Sequence, residues 1–325
     1  MIVNLFRHTQ AISVLSILAL SILIWFGFSF QENIQEVQSL SPLFDYMFSS
    51  VLKHSLINRT IVSAIVFWQC IMMNRLIVGQ KILSTNSFYP ALFYFLILSI
   101  SPQEIYLSAS LFALTFILLS LNKLLSCYLD KSAYTKIFDS AIFMSIAILI
   151  YPPFIVFCPI IWIGMSIFSQ GEGRHWLISI LGFMCPWIIL YTLSEYLLID
   201  SLNPSMFFNF LAESYVLSSF DFSEIMSLLA LGILSLLALK EVAVGLSRKN
   251  IKARKSFVLF LWMLIMSVLY TLINPATLST KLLVYSISLS PIISNYFYYQ
   301  KNSKWLDFFG IILFATLLYN HISKL

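Results

Sequence analysis

The chain has 325 residues, 60% of them hydrophobic and 10% charged, with a formal net charge of +5. Soluble domains carry about 25% charged residues, so this composition excludes a water-soluble enzyme or binding module. Long apolar runs, in place of alternating ten-residue segments, predict an all-α polytopic membrane protein and exclude a β-barrel.

The N-terminal stretch "MIVNLFRHTQAISVLSILALSILIWFGFSF" places Arg7 and His8 before an apolar run. At about twenty residues the run exceeds a cleaved signal's apolar region, and no small-residue cleavage site follows it, so a retained signal-anchor helix is expected. Eleven spans are predicted, over 10–30, 57–74, 87–101, 104–121, 138–151, 153–168, 176–198, 224–246, 256–273, 282–299 and 305–322. Several fall short of the ~20 residues of a full crossing. Residues 1–325 read as a single integral membrane domain with neither an internal repeat nor a soluble domain.

Two loops are long enough to hold structure, 31–56 and 199–223. In the first, Ser41 can cap a helix whose first position is Pro42. Leu43, Phe44, Met47, Phe48, Val51 and Leu52 then share one face. This predicts an amphipathic helix lying in the membrane interface. In the second loop, Asn203 and Pro204 open a similar short helix with Phe207, Phe208 and Leu211.

The run "IAILIYPPFIVFCPIIWIG", Ile146 to Gly164, is apolar throughout yet contains Tyr151-Pro152-Pro153. One helix over 138–168 would be roughly 46 Å long, against a hydrocarbon core of about 30 Å. Adjacent prolines also remove two backbone donors and push the preceding residue out of helical space. Two spans meeting at a turn are therefore expected. Charge placement agrees. With eleven spans and a cytoplasmic N-terminus, fifteen Lys and Arg residues fall inside and four outside, namely Lys53, Arg59, Lys281 and Lys324. A single span over 138–168 would put the cluster "SRKNIKARKS" outside and erase that bias. The same map places nine acids outside and five inside.

Sharp catalytic motifs are absent: the chain has no GxSxG, HExxH, Walker or GxGxxG sequence. Cys70, Cys127, Cys158 and Cys185 lack metal-ligand spacing and read as packing residues. The outer acids are the most suggestive feature. Glu36 and Asp45 share the first loop, and Glu104 lies in the hairpin "SISPQEIYLS". Carboxylates at the mouth of a bundle could serve as a general base or hold a divalent cation as cofactor. The plainer reading is a solvated acidic surface. Asp139 opens the fifth predicted span, where a carboxylate complements a helix N-terminus. Arg248, Lys249, Lys252, Arg254 and Lys255 read as a stripe for anionic lipid headgroups, in preference to nucleic acid. The spans carry no row of ionisable residues of the kind found in ion pumps.

The stretches "NRLIVGQKILSTNSFYPALFYFLILSISPQ", "KIFDSAIFMSIAILIYPPFIVFCPIIWIGMSIF" and "GRHWLISILGFMCPWIILY" resemble a family of uncharacterised bacterial integral membrane proteins. The first loop, Gln31 to Thr60, and the hairpin "FDSAIFMSIAILIYPPFIVF" are similar to the GT-C glycosyltransferases, which use polyprenyl-linked sugars. No metal-binding Asp-x-Asp occurs, a soluble C-terminal domain is not expected, and the family resemblance implies a bacterial inner membrane as the location. The likeness implies a site at the outer membrane face, with Asp45 as base and Glu104 or Glu36 orienting the acceptor or a cation. Lys53, Arg59 and Lys281 would meet the donor phosphate of a polyprenyl-linked glycan. The alternatives are a non-catalytic subunit or scaffold with membrane-protein partners, and a transporter.

Overall fold

The structure is a computed structural model. It describes residues 6, 11–27, 42–52, 54–83, 87–100, 107–128, 130, 133–168, 173–197, 222–274 and 277–300, and 310–319 in part. Among the described residues there is no β-strand. The helices are α1 (Ala11–Ile22), α2 (Pro42–Leu52), α3 (Ser55–Gly79), α4 (Tyr89–Leu98) and α5 (Ala109–Leu125), then α6 (Ala133–Ile150), α7 (Pro159–Ile167), α8 (Gly173–Leu197), α9 (Phe222–Gly245), α10 (Ile251–Ile273) and α11 (Leu278–Tyr299). A π-helical turn, Leu23–Gly27, extends α1. A helix therefore stands wherever the first ten spans were drawn, and α2 stands in the first loop. The predicted helix at Asn203 lies outside the described residues, as does most of the last span. By length and composition, five helices can cross a membrane: those at Leu56–Gly79, Ala133–Ile150, Gly173–Tyr196, Ile225–Gly245 and Ile251–Ile273.

The Tyr-Pro-Pro break is real. α6 stops at Ile150, Tyr151 is extended, and Pro152–Phe157 form a 3-10 helix before α7 begins. The chain reverses here. Lys123 at the end of α5 pairs with Asp139 near the start of α6 at 2.7 Å, and α7 returns to that same end. There Gly164 lies against the Leu124 side chain, and Phe168 meets the Tyr128 ring at 6.4 Å. In this turn Pro152, Pro153, Phe154 and Phe157 are buried, while Ile155 is exposed. Phe154 and Phe157 pack against Tyr270 of α10, whose hydroxyl lies 3.3 Å from that of Tyr151. Asp139 also corrects the sequence reading. α6 begins six residues earlier, at Ala133, so Asp139 serves as the partner of Lys123 in place of an N-terminal charge.

Contacts along the helices define two ends. α2, Ser99, Leu107, Tyr151 and Asn274 belong to one, here called the α2 end. Gly79, Leu125, Ala133, Phe168, Gly173, the α9–α10 turn and Tyr299 belong to the other. Phe88 at this second end donates its N–H to the Phe6 carbonyl at 2.8 Å.

Small and polar side chains hold the interior together. Hydrophobicity gives helices no reason to associate in lipid, so close approach and interhelical hydrogen bonds take over. Ser120 and Ser140 bond each other's hydroxyl and carbonyl between α5 and α6, at 2.9–3.1 Å. Gly182 of α8 passes so close to α6 that an added Cβ would stand 2.8 Å from the Phe138 carbonyl. Gln69 of α3 donates to the Leu111 carbonyl at 2.8 Å and to the Thr115 hydroxyl at 2.9 Å, and it accepts from the Tyr94 hydroxyl at 3.0 Å. That network ties α3, α4 and α5, with Gln69 and Tyr94 fully buried and Thr115 half-buried.

Candidate functional site at the α2 end

α2 is docked on the bundle. Phe44 is buried, and Phe48 packs edge-on against Phe112 of α5 with ring centroids 5.1 Å apart. Leu43 sits in a cluster with Leu149 of α6 and with Trp187 and Leu190 of α8. The predicted apolar face is divided, for Met47 is 56% exposed. The side chains of Val51 and Leu52 lie outside the described residues. Asp45 stands in the first turn of α2, half-buried. Its charge suits the positive end of the helix there.

The next element supplies cations and polar anchors. Arg59, in the first turns of α3, is only 8% exposed, and Asn58 beside it is buried. The Asn58 side chain accepts the Leu107 N–H at 2.8 Å, which fixes the chain just after Glu104 to α3. Ser108 then caps α5 by accepting the Leu111 N–H at 3.2 Å. Since α2 packs on α3, Asp45 and Arg59 come onto neighbouring helices at one end. Lys281 opens α11 at that same end, but α11 packs chiefly on α4, α5, α9 and α10. Glu36, Lys53 and Glu104 lie outside the described residues. Among the described residues, no group of three His, Cys, Asp or Glu could hold a metal ion.

The basic stripe at the other end divides. Arg254 is exposed, Lys252 and Lys255 are half-buried, and the Arg248 side chain lies outside the described residues. The Lys255 ammonium stands 5.6 Å from the Tyr128 ring centroid. Lys249 is half-buried and reaches across to α11. Its ammonium donates to the Asn295 side-chain oxygen of α11 and sits over the Phe257 and Tyr299 rings, 4.5 and 4.6 Å from their centroids. Burial lowers its pKa from 10.5 to about 8, opposed in part by the charge of Glu241. Sequence reasoning missed Asn295 because nothing in "IISNYFYY" reveals which helix turn will meet a lysine 46 residues earlier.

These features define a helical bundle of membrane type with an amphipathic helix docked over one end. The chain belongs to a family of unknown function, DUF6427, whose match covers residues 46–325. That match takes in Arg59, Glu104 and Lys281 and begins just after Asp45. No curated protein and no solved structure matches the chain.

Proposed function

We propose that this protein is a bacterial inner-membrane enzyme of GT-C-like character, with eleven spans and a cytoplasmic N-terminus. Its site lies at the α2 end, facing outward, and takes a polyprenyl-linked glycan donor from the outer leaflet. The supporting observation is the docking of α2, which brings a half-buried carboxylate, Asp45, onto the helix neighbouring a buried guanidinium, Arg59.

In this reading Asp45 takes the proton of an acceptor hydroxyl. That oxygen bonds to the anomeric carbon, the bond from that carbon to the phosphate oxygen breaks, and the electron pair leaves on the phosphate. Arg59 meets the charge that develops there, with Lys53 and Lys281 as further cations of that end. Glu104 and Glu36 orient the acceptor or hold a divalent cation. A positioned general base contributes roughly 10²–10⁴-fold. Asp45→Asn and Glu104→Gln should therefore abolish complementation of a deletion strain while the protein still accumulates in the membrane. Full complementation by both variants would sink the enzyme reading. Recovery of stoichiometric membrane partners with those variants would replace it with the scaffold.

A further inference from the structure

The α9–α10 turn and the end of α11 form a second polar site, remote from α2 and independent of the function proposed above. The Lys249 ammonium has three donors and spends one on the Asn295 oxygen. Among the described residues no carboxylate lies within ion-pair distance of it, and Glu241 of α9 acts from further away. Asn295 is 1% exposed, and its amide nitrogen, with two donors, finds no acceptor among the described residues. A buried donor left unmet costs about 1–3 kcal/mol. The wall is aromatic: Phe257 is fully buried, whereas Tyr299 is 44% exposed and lies on the open side.

Donors in excess of acceptors, around a cation with no close counter-charge, specify an acceptor-rich anion. The position at a bundle end, beside Lys252 and Arg254, places it where phosphate esters concentrate. We propose that Lys249 and Asn295 form a binding site for an anionic phosphate group, with Tyr299 as its rim. The phosphate completes the amide's hydrogen bonds and neutralises the ammonium, and so joins the α9–α10 turn to α11.

The test uses the full chain, purified in dodecyl maltoside, with its thermal midpoint as the readout. Phosphatidylglycerol should raise the midpoint by several degrees and saturate, whereas phosphatidylcholine should not. Inorganic phosphate, compared with chloride at equal ionic strength, separates the two sources. A shift with the lipid alone identifies a headgroup, and a shift with both identifies a free phosphate group. Either outcome supports the site. Lys249→Met and Asn295→Asp should each remove the shift, the second because its carboxylate pairs with Lys249 internally. Should either variant fail to fold, the wild type gives the answer through pH. The shift should shrink severalfold between pH 7 and pH 9.5 as Lys249 loses its proton, a range over which ordinary surface lysines stay charged. A shift that is absent, equal in the variants, or unchanged at pH 9.5 overturns the proposal.

Discussion

α11 and α8 are of similar length, each carries an internal proline, and they sit in opposite surroundings. In α11, 17 of 22 residues are buried, among them Ser279, Thr280, Ser286, Ser288, Ser290, Ser294 and Asn295. In α8 only 28% of the apolar window is buried, and Leu177, Ile180, Leu181, Met184, Ile188 and Ile189 are exposed. Yet α8 meets the composition of a membrane span and α11 does not. Apolar character here marks the face turned to lipid. The buried helix instead carries small hydroxyl side chains that let neighbours approach and that bond to their own backbone, as Ser286 does to the Leu283 carbonyl at 2.5 Å.

The contrast can be broken most sharply where α8 touches protein. Gly182→Val forces a side chain against the Phe138 backbone, and its cost should be about 3 kcal/mol in a reversible unfolding assay. Its neighbour Leu181 is 63% exposed, and Leu181→Ala should change stability by no more than about 0.5 kcal/mol. In α11, Ser288→Leu raises the helix's apolar content, yet it should destabilise by about 2 kcal/mol because the position is fully buried. A stabilised variant would show that hydropathy governs α11 after all. Gln69→Leu should cost about 1–2 kcal/mol, since it strips partners from the Tyr94 and Thr115 hydroxyls.

A further expected effect concerns pH. Lys249 has a folded pKa near 8, below its ordinary 10.5, so between those values the unfolded chain binds more protons. Its burial is a full cost below about pH 8, and stability should rise as pH climbs from about 8 to about 10.5. Other groups stand around it, Glu241 on α9, Lys252 on α10, and Tyr296 and Tyr299 on α11. The slope must therefore be read as the difference between wild type and Lys249→Met, measured as thermal midpoint against pH.

Much of the fold was legible because membrane helices announce themselves by long apolar runs. The double proline dictated a chain break by backbone chemistry alone. Pro42 and the apolar face of 43–48 predicted α2. Helix ends were less readable. α3 runs on to Gly79, past the predicted limit at Asn74, because helical hydrogen bonding continues after the apolar run stops. The site was legible only in part. Asp45 and Arg59 were chosen for charge and position in the chain, and their arrival on adjacent helices depends on how Phe44 and Phe48 dock, which composition does not encode. The partner of Lys249 was not legible either. Within "SRKNIKARK" the lysine's chemistry matches its neighbours', and its orientation depends on the rotational setting of α11.

The six-residue 3-10 stretch at Pro152–Phe157 carries a consequence of its own. With about three residues per turn, side chains three apart eclipse one another. Tyr151, Phe154 and Phe157 therefore form one aromatic column, and the column clasps Tyr270. At the ordinary 3.6 residues per turn, Phe157 would swing roughly 120° away from Tyr151 and leave the clasp. "YPPFIVF" is in this sense a period-three message set between two period-3.6 helices, and inserting one residue into it would scramble the phase with which α7 meets Leu124.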